Sequence, residues 1–269
     1  MNVSNRVAVI TGAGSGIGRA LALSLARRHC HLALADIDAA GRRESAAMLA
    51  NMGVRVTTHA FDVADRTAVR TLPATVHDAH GRVDLLVNNA GVALGGTFEQ
   101  VSEDDFDWLM DINFNGVVRM TRAFLPLLRQ SDEARIVNVS SIYGIVSPPG
   151  QSAYSASKFA VRGFSNALRH ELEGSTVAVS VVHPGGVATS IARNARVPEG
   201  TPPDEVTRGR KIAEKLLRLA PEAAGETIAR GIEARQSRIL VGNDARVVSI
   251  LERISPVNYW RILKKATAR

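Results

Sequence analysis

The sequence of 269 residues has one cysteine, few aromatic residues (4%) and no long apolar run. Because Cys30 alone cannot form an internal disulfide, we expect a reducing compartment, the cytoplasm. No segment approaches the roughly 20 uncharged apolar residues of a membrane span. The first residues lead directly into a strand-like run, so we expect no signal peptide. The seven histidines show no spacing typical of metal ligands, and we expect no metal.

The remaining composition, 45% apolar and 22% charged, is that of an ordinary globular protein. The formal net charge is +7. Residues 1–189 contain 17 basic and 17 acidic side chains, whereas residues 190–269 contain 16 and 9, so the whole excess lies in the last 80 residues. These basic residues form no recognisable nucleic-acid module, and we therefore predict no nucleic-acid partner.

Short apolar runs bounded by Gly, Asp, Asn or Pro are typical of strands buried on both faces of a sheet. The runs are Val7–Ile10, Leu32–Ala35, Val54–His59, Leu85–Val87, Ile136–Val139, Val177–Val182 and Ile239–Val241. Between them lie the helix-like segments Gly18–Arg28, Ala39–Met52, Ala64–Ala79, Asp104–Arg129 and Ser155–Glu173. This alternation predicts an α/β fold with a doubly wound parallel sheet of about seven strands. We see no linker or repeat, and predict a single domain over residues 1–269.

Residues 188–221 interrupt the alternation of strand and helix. They contain several prolines and an amphipathic stretch, Glu205–Leu219. An insertion after the carboxyl end of a strand lies where open α/β sheets bind ligands. We predict that this insertion closes over a substrate pocket; the alternative is a surface excursion.

Residues 243–269 form a C-terminal extension, which we predict to be helical. Its apolar residues have mostly helical spacing up to Ile254, and an aromatic, apolar and basic segment, 258–265, follows Pro256. This pattern is typical of a terminal helix packed on the protein or a neighbouring subunit. It is equally typical of a helix in weak peripheral contact with a membrane.

A glycine-rich segment, TGAGSGIG at residues 11–18, follows the first strand and opens the first helix. Glycine lets the backbone approach a pyrophosphate closely, and the helix amino terminus offers free N–H groups. Asp36 ends the second strand, where an acid binds the adenosine ribose hydroxyls and repels a 2′-phosphate. These residues predict NAD, with NADP disfavoured; the alternative is a glycine-rich turn without a ligand.

Tyr154 and Lys158 are spaced i, i+4 and share one face at the start of a helix. A phenol with a pKa of about 10 is a poor base at neutral pH. A nearby ammonium favours the phenolate, which can exchange a proton with a carbonyl or alcohol oxygen. A surface pair is the alternative. Ser141 or Ser140, just past the fifth strand, can project a hydroxyl into the same crevice.

These ordered motifs resemble the short-chain dehydrogenase/reductase family over roughly residues 4–242. Further matching segments are Asp62-Val63, NNAG at 88–91, Asn113 in INFNG, YSASK at 154–158 and PGGVAT at 184–189. The resemblance implies a Rossmann fold, NAD(P)-dependent oxidoreduction and a homodimer or homotetramer. The family's spacing to the tyrosine favours Ser141 over Ser140.

The resemblance also implies a role for each matching residue. Tyr154 is expected to be the general acid/base, with Lys158 lowering its pKa and binding the nicotinamide ribose. Ser141 is expected to polarise the substrate oxygen, and Asn113 to hold Lys158 and a water chain. The other cofactor contacts are expected from Gly12, Ser15, Gly16, Ile17, Gly18, Asp36, Asp62, Val63, Asn89, Ala90, Gly91, Pro184, Gly185, Val187 and Thr189.

The sequence therefore predicts an oxidoreductase that transfers hydride between NAD(H) and a secondary alcohol, ketone or related carbonyl. The helices over 104–129 and 155–173 have more apolar positions than one sheet face needs, which predicts a subunit interface. Apolar residues near the strand ends favour an apolar substrate: Ala93, Leu94, Ile145, Val146, Val187 and Ile191. The alternatives are a redox sensor that binds NAD(H) without useful turnover and a basic surface protein.

Overall fold

The computed structural model describes the backbone of residues 1–267 and the side chains of residues 1–264. Seven parallel strands form one sheet in the order β3-β2-β1-β4-β5-β6-β7. They are β1 (Val7–Thr11), β2 (His31–Asp36), β3 (Val56–Ala60), β4 (Leu85–Asn88), β5 (Ala134–Val139), β6 (Val177–Pro184) and β7 (Arg238–Val241). The predicted doubly wound parallel sheet is confirmed, as is each predicted strand to within a few residues.

Helices cover both faces of the sheet. They are α1 (Gly16–Ala26), α2 (Ala39–Leu49), α3 (Arg66–His80), α4 (Glu103–Met110), α5 (Gly116–Leu128), α6 (Ser152–Glu171), α7 (Pro203–Leu216), α8 (Pro221–Glu233), α9 (Asn243–Ile254) and α10 (Tyr259–Thr267). Within the described residues, no helix is long and apolar enough to cross a membrane.

Two apolar cores lie on opposite faces of the sheet. One contains Leu21 of α1 and Ile228 of α8 against β1 and β2. The other contains Val76 of α3 and Phe124 of α5 against β4 and β5. Strand β5 is buried along its whole length because it has neighbours on both edges and helices on both faces. Since the strand order reverses between β1 and β4, a crevice opens at the carboxyl ends there.

The predicted single helix over 104–129 is wrong in one respect. Helix α4 ends at Met110, and a π-helical segment, Asp111–Asn115, separates it from α5. The wider turn is held by the buried side chain of Asn113, which bonds the backbone of Val92 rather than its own helix. Such π segments occur frequently at functional sites.

The packing of these helices also revises the predicted subunit interface. Seven apolar residues of α5, α6 and the π segment suggested it, and four of these, Val117, Met120, Phe124 and Leu168, are buried within the single chain. The remaining three, Phe114, Phe159 and Phe164, are partly or largely exposed. The rings of Phe114 and Phe164 pack edge to face with centroids 6.3 Å apart. Only these three residues still favour a helical interface between subunits.

The insertion over residues 188–221 is fastened back onto the carboxyl ends of the strands. Residues Val187 and Leu219 pair at its base, and Leu94 pairs with Arg196 at its far side. The guanidinium of Arg196 also bonds Asp105 at 2.7 Å and stacks on the ring of Trp108. The insertion is therefore anchored at both ends.

The C-terminal extension packs on the chain through one side of its two helices. Val248, Tyr259 and Leu263 form a small cluster with Ile145 and Val146. The hydroxyl of Tyr259 accepts a hydrogen bond from the backbone N–H of Ser147 at 3.0 Å. The extension therefore packs against the segment that follows Ser141.

Candidate active site

The glycine-rich turn joins β1 to α1 at the crevice. Gly12 and Gly16 have φ of +65° and +52°, in the left-handed region that favours glycine. A Cβ at Gly18 would lie 2.1 Å from the carbonyl oxygen of Gly12, so the chain approaches itself too closely for a side chain there. Ser15 precedes α1 without capping it by its side chain, which leaves the first N–H groups of the helix available. The side chain of Ile17 packs on the core.

Asp36 lies directly against this turn. Its carboxylate accepts hydrogen bonds from the backbone N–H of Gly14 at 2.7 Å and of Asp38 at 2.9 Å. The nearby Arg19 forms an ion pair with Glu44 at 2.7 Å. Arg42 donates to the carbonyl oxygen of Asp36. Both arginines close to Asp36 are therefore engaged by the protein itself.

The turn after β4 is tied to the glycine-rich turn. The side-chain amide of Asn89 donates to the carbonyl oxygens of Thr11 and Gly12 at 3.0 and 3.1 Å. The backbone N–H groups of Asn89 and Ala90 both donate to the hydroxyl of Thr11 at 3.0 Å. A Cβ at Gly91 would lie 3.4 Å from Nζ of Lys158. This turn thus connects the glycine-rich loop with the candidate catalytic lysine.

Asp62 and Val63 follow β3 at the same end of the sheet. The Asp62 carboxylate accepts a hydrogen bond from the N–H of Ala64 at 2.8 Å. Val63 is buried and would contact a Cβ at Gly116, at the start of α5. Their contact with adenine stays a prediction.

The four expected catalytic residues come from three different parts of the fold and meet beside the crevice. Ser141 follows β5, Tyr154 and Lys158 lie on α6, and Asn113 lies in the π segment. Nζ of Lys158 lies 5.6 Å from the centroid of the Tyr154 ring and donates to the carbonyl oxygen of Val139 at 3.3 Å. The structure brings together the set that the sequence predicted.

Asn113 positions Tyr154 through Ser157. The Asn113 amide donates to the Ser157 hydroxyl at 3.2 Å, and that hydroxyl donates to the carbonyl oxygen of Tyr154 at 2.7 Å. The competing serine, Ser140, has a structural role, since its hydroxyl is buried and donates to the carbonyl oxygen of Lys158 at 2.8 Å. Ser141 is thus the serine that faces the tyrosine.

The expected lowering of the Tyr154 pKa by Lys158 is not what this geometry produces. Burial raises the pKa of Tyr154 to about 12, and the hydrogen bond with Ser141 opposes that rise only in part. Burial also lowers the pKa of Lys158 to about 8. The cause is the same in both cases, because an apolar environment disfavours the charged form of either group.

The PGG turn after β6 closes the crevice opposite the glycine-rich turn. The N–H of Gly185, next to Pro184, donates to the carbonyl oxygen of Val241 at 2.9 Å. The methyl group of Thr189 would lie 3.0 Å from a Cβ at Gly16, so the two turns touch. Val187, between them, is buried in the core.

Two cavities adjoin these turns. One, of about 390 Å³, is lined by Gly14, Ser15, Gly16, Thr189 and neighbouring residues. The other, of about 130 Å³, lies between Thr189 and α7. The larger cavity lies against the uncapped N–H groups of α1 and the side-chain-free backbone of the glycine-rich turn. This arrangement fits a dinucleotide pyrophosphate. Neither cavity is lined by Tyr154 or by any of the six residues predicted to form an apolar pocket. Four of those six are packed into apolar clusters: Leu94, Ile145, Val146 and Val187.

Sequence reasoning missed two residues that hold this site together. The Asp244 carboxylate, on α9, accepts a hydrogen bond from the N–H of Gly186 at 2.7 Å and thereby supports the PGG turn. Buried His183 makes a 2.9 Å hydrogen bond through Nδ1 to the carbonyl oxygen of Ser141. An acid just after Gly242 signals a helix start, but its partner turn lies 58 residues away in sequence.

Comparison with known proteins agrees with this arrangement. Residues 6–200 match the family model described as short chain dehydrogenase. The chain is 42% identical over 266 residues to a Mycobacterium tuberculosis protein named as an oxidoreductase, SadH, covering 98% of this chain and 96% of that one. The chain belongs to the short-chain dehydrogenase/reductase family.

Solved structures of the family have the same fold. A short-chain dehydrogenase/reductase from Burkholderia phymatum in complex with NAD superposes with a TM-score of 0.88 at 32% identity, covering 95% of each chain. A metagenomic short-chain oxidoreductase in complex with NADP superposes with a TM-score of 0.71 at 28% identity, covering 90% of this chain and 98% of that one. The chain is thus a Rossmann-fold oxidoreductase whose relatives include binders of both nicotinamide cofactors.

Proposed function

We propose that this protein is an NAD-preferring dehydrogenase/reductase acting on a secondary alcohol or the corresponding ketone, with Tyr154 as its general acid/base. The observation that carries the proposal is the convergence of Ser141, Tyr154, Lys158 and Asn113 beside the glycine-rich turn. Four side chains from three parts of the fold are held there by hydrogen bonds. Such an arrangement is suited to holding and moving a proton at one substrate oxygen.

NAD, when bound, supplies the hydride chemistry. The residues suited to hold its pyrophosphate are those of the 12–18 turn, and Thr189 faces them across the cleft. Asp36 supports the preference for NAD, because its carboxylate sits against Gly14, where a 2′-phosphate would meet a like charge.

Tyr154 would take the proton of the alcohol in oxidation and return it in reduction. Its raised pKa means that the phenol is the resting form, suited to donating a proton to a ketone. The Ser141 hydroxyl would hold the substrate oxygen beside the phenol. Lys158, whose ammonium is buried near the ring, would stabilise the phenolate when it forms.

Replacing Tyr154 tests this proposal. We expect Tyr154→Phe to reduce turnover about 10²–10⁴-fold, the usual range for losing a general acid/base, while NADH affinity is retained. Lys158→Ala should impair both turnover and NADH binding. Tyr143→Phe is the matched control, since that ring packs against Tyr154 with centroids 6.0 Å apart but is not one of the four candidate catalytic residues. Nearly full activity in Tyr154→Phe would overturn the mechanism.

A redox sensor without turnover is the alternative function, and a panel of alcohols and ketones followed by NADH absorbance separates the two. If the protein reduces a ketone and Tyr154→Phe does not, the result supports the catalytic function. Tight NADH binding with no turnover across the panel supports the sensor. An apolar substrate is proposed on the apolar cluster that packs against Tyr154. We propose the cytoplasm as the compartment because Cys30, the only cysteine, is a buried free thiol.

A further inference from the structure

The outer side of the C-terminal extension carries a cluster of exposed apolar residues. Among the described residues, twelve large apolar side chains are exposed, and five of them belong to residues 247–262. We call these five the tail stripe: Val247, Ile250, Ile254, Val257 and Ile262. Exposed apolar residues occur singly on most proteins, but a cluster of this kind marks an interaction surface.

The stripe is distinct from the side of the extension that packs on the protein. On α9 the spacing of Val247, Ile250 and Ile254 places them on one face, whereas Ala245 and Val248 are buried on another. Ile254 is 77% exposed and Val257, in the turn between α9 and α10, is 85% exposed. The extension therefore has two apolar faces, and packing on the chain uses one of them.

Basic side chains border the stripe. Arg246 and Arg253 lie next to Val247 and Ile254 on α9, and Arg261 precedes Ile262 on α10. All three are exposed, and none takes part in the ion pairs found within the described part of the chain. Over residues 243–269 the sequence has six basic residues and two acidic ones, Asp244 and Glu252. Asp244 is engaged by Gly186.

We propose that the tail stripe and its arginines form a docking surface for an anionic lipid bilayer. An interfacial helix needs an apolar face that enters the headgroup region and basic residues that face anionic lipid, and both are present together here. A second copy of this chain would place the three arginines of each copy near those of the other, which favours the lipid surface over self-association.

The extension that carries the docking surface packs, through its other side, beside the candidate active site. Tyr259 of α10 contacts the backbone of Ser147, and the segment before it leads to Tyr143, whose ring packs on Tyr154. If the proposed function holds, the enzyme at the bilayer would have its substrate mouth close to the lipid. The substrate class that follows is a hydrophobic alcohol or ketone dissolved in the membrane.

Sedimentation with vesicles tests the surface without using any activity. We expect the full chain to sediment with vesicles containing phosphatidylglycerol, to bind phosphatidylcholine vesicles weakly, and to be released by salt. The double variant Arg246→Glu/Arg253→Glu should lower the partition coefficient more than tenfold, since each basic residue near the surface contributes about fivefold. Ile250→Ser/Ile254→Ser should lower binding to both kinds of vesicle.

The matched controls are exposed residues far from the extension. Met48→Ser on α2 and Arg70→Glu on α3 change the same kinds of side chain and should leave vesicle binding unchanged. Absence of sedimentation, or equal sedimentation of all variants, would overturn the proposal. So would a fall in mass by light scattering in Ile250→Ser/Ile254→Ser, which would identify the stripe as a subunit interface.

Turnover of a water-soluble ketone separates this proposal from the proposed function. Both double variants should keep full activity on such a ketone, because the substituted side chains are exposed and the cluster that contains Tyr154 includes no residue of the extension. Vesicle binding without any ketone reduction would refute the proposed function and leave the docking surface standing. Ketone reduction without vesicle binding would refute the docking surface alone.

Discussion

The guanidinium of Arg196 lies 3.7 Å from the centroid of the Trp108 ring and bonds the Asp105 carboxylate on the same helix, α4. Trp108 and Asp105 belong to the body of the protein, whereas Arg196 belongs to the 188–221 insertion. A cation–π contact and an ion pair thus join the insertion to α4.

Removing this contact should loosen the insertion. A cation–π contact at an exposed site and a surface ion pair contribute about 1–2 kcal/mol together, so we expect Arg196→Ala to raise KM up to about tenfold with kcat little changed. Arg208→Ala is the control, since Arg208 forms an ion pair with Asp204 within α7. Steady-state kinetics with a soluble ketone measure the effect; an unchanged KM would show that the contact does not control closure.

The choice between NAD and NADP should depend on Asp36. Asp36→Asn keeps an acceptor for the N–H of Gly14 and removes the negative charge, so we expect the ratio of NADPH to NADH affinity to rise about tenfold or more. Fluorescence titration of both cofactors gives the ratio. Asp78→Ala, an exposed acid on α3, should leave it unchanged. Wild-type protein that already binds NADPH as tightly as NADH would contradict the preference.

Buried His183 should make stability depend on pH in the acid range. Burial lowers its pKa to about 4, below the ordinary value of 6.5, so the unfolded chain binds the proton first as pH falls. The contribution of neutral His183 to the stability of the folded protein is complete above pH 6.5 and is lost as the pH falls towards 4. Between about pH 7 and about pH 5, His183 accounts for a loss of about 2 kcal/mol.

Denaturant unfolding at both pH values measures this loss. In His183→Gln, which keeps a donor for the carbonyl oxygen of Ser141, the fall in stability should be smaller by that amount. His80, whose pKa burial also lowers to about 4, contributes equally to both proteins and cancels in the comparison. An identical pH slope in the two proteins would refute this assignment.

We expect a homodimer or homotetramer in which α5 and α6 contact a second subunit. Light scattering should give two or four times the chain mass of 28.8 kDa. Phe159→Glu places a charge on the exposed face of α6 and should lower the mass, whereas Phe98→Glu, an exposed loop position, should not. A wild-type mass of one chain would contradict the prediction.

The sequence by itself determined the sheet and most of the site. Runs such as Val7–Ile10 and Ile136–Val139 are continuously apolar because both faces of a central parallel strand are buried, so composition alone identified them. The TGxxxGxG turn, Asp36 and the Tyr154/Lys158 pair were visible for a similar reason. Their chemistry depends on residue types at a fixed local spacing, which can be read directly from the sequence.

Only the tertiary structure decided contacts between segments distant in the chain. The π segment at 111–115 forms because Asn113 bonds Val92 and Ser157, and no local pattern predicts those partners. The pairing of Asp244 with Gly186 and of Arg196 with Trp108 likewise depends on how elements pack. The pKa of Tyr154 was misjudged from sequence because spacing reveals the neighbouring lysine but not the burial, and burial is the larger effect.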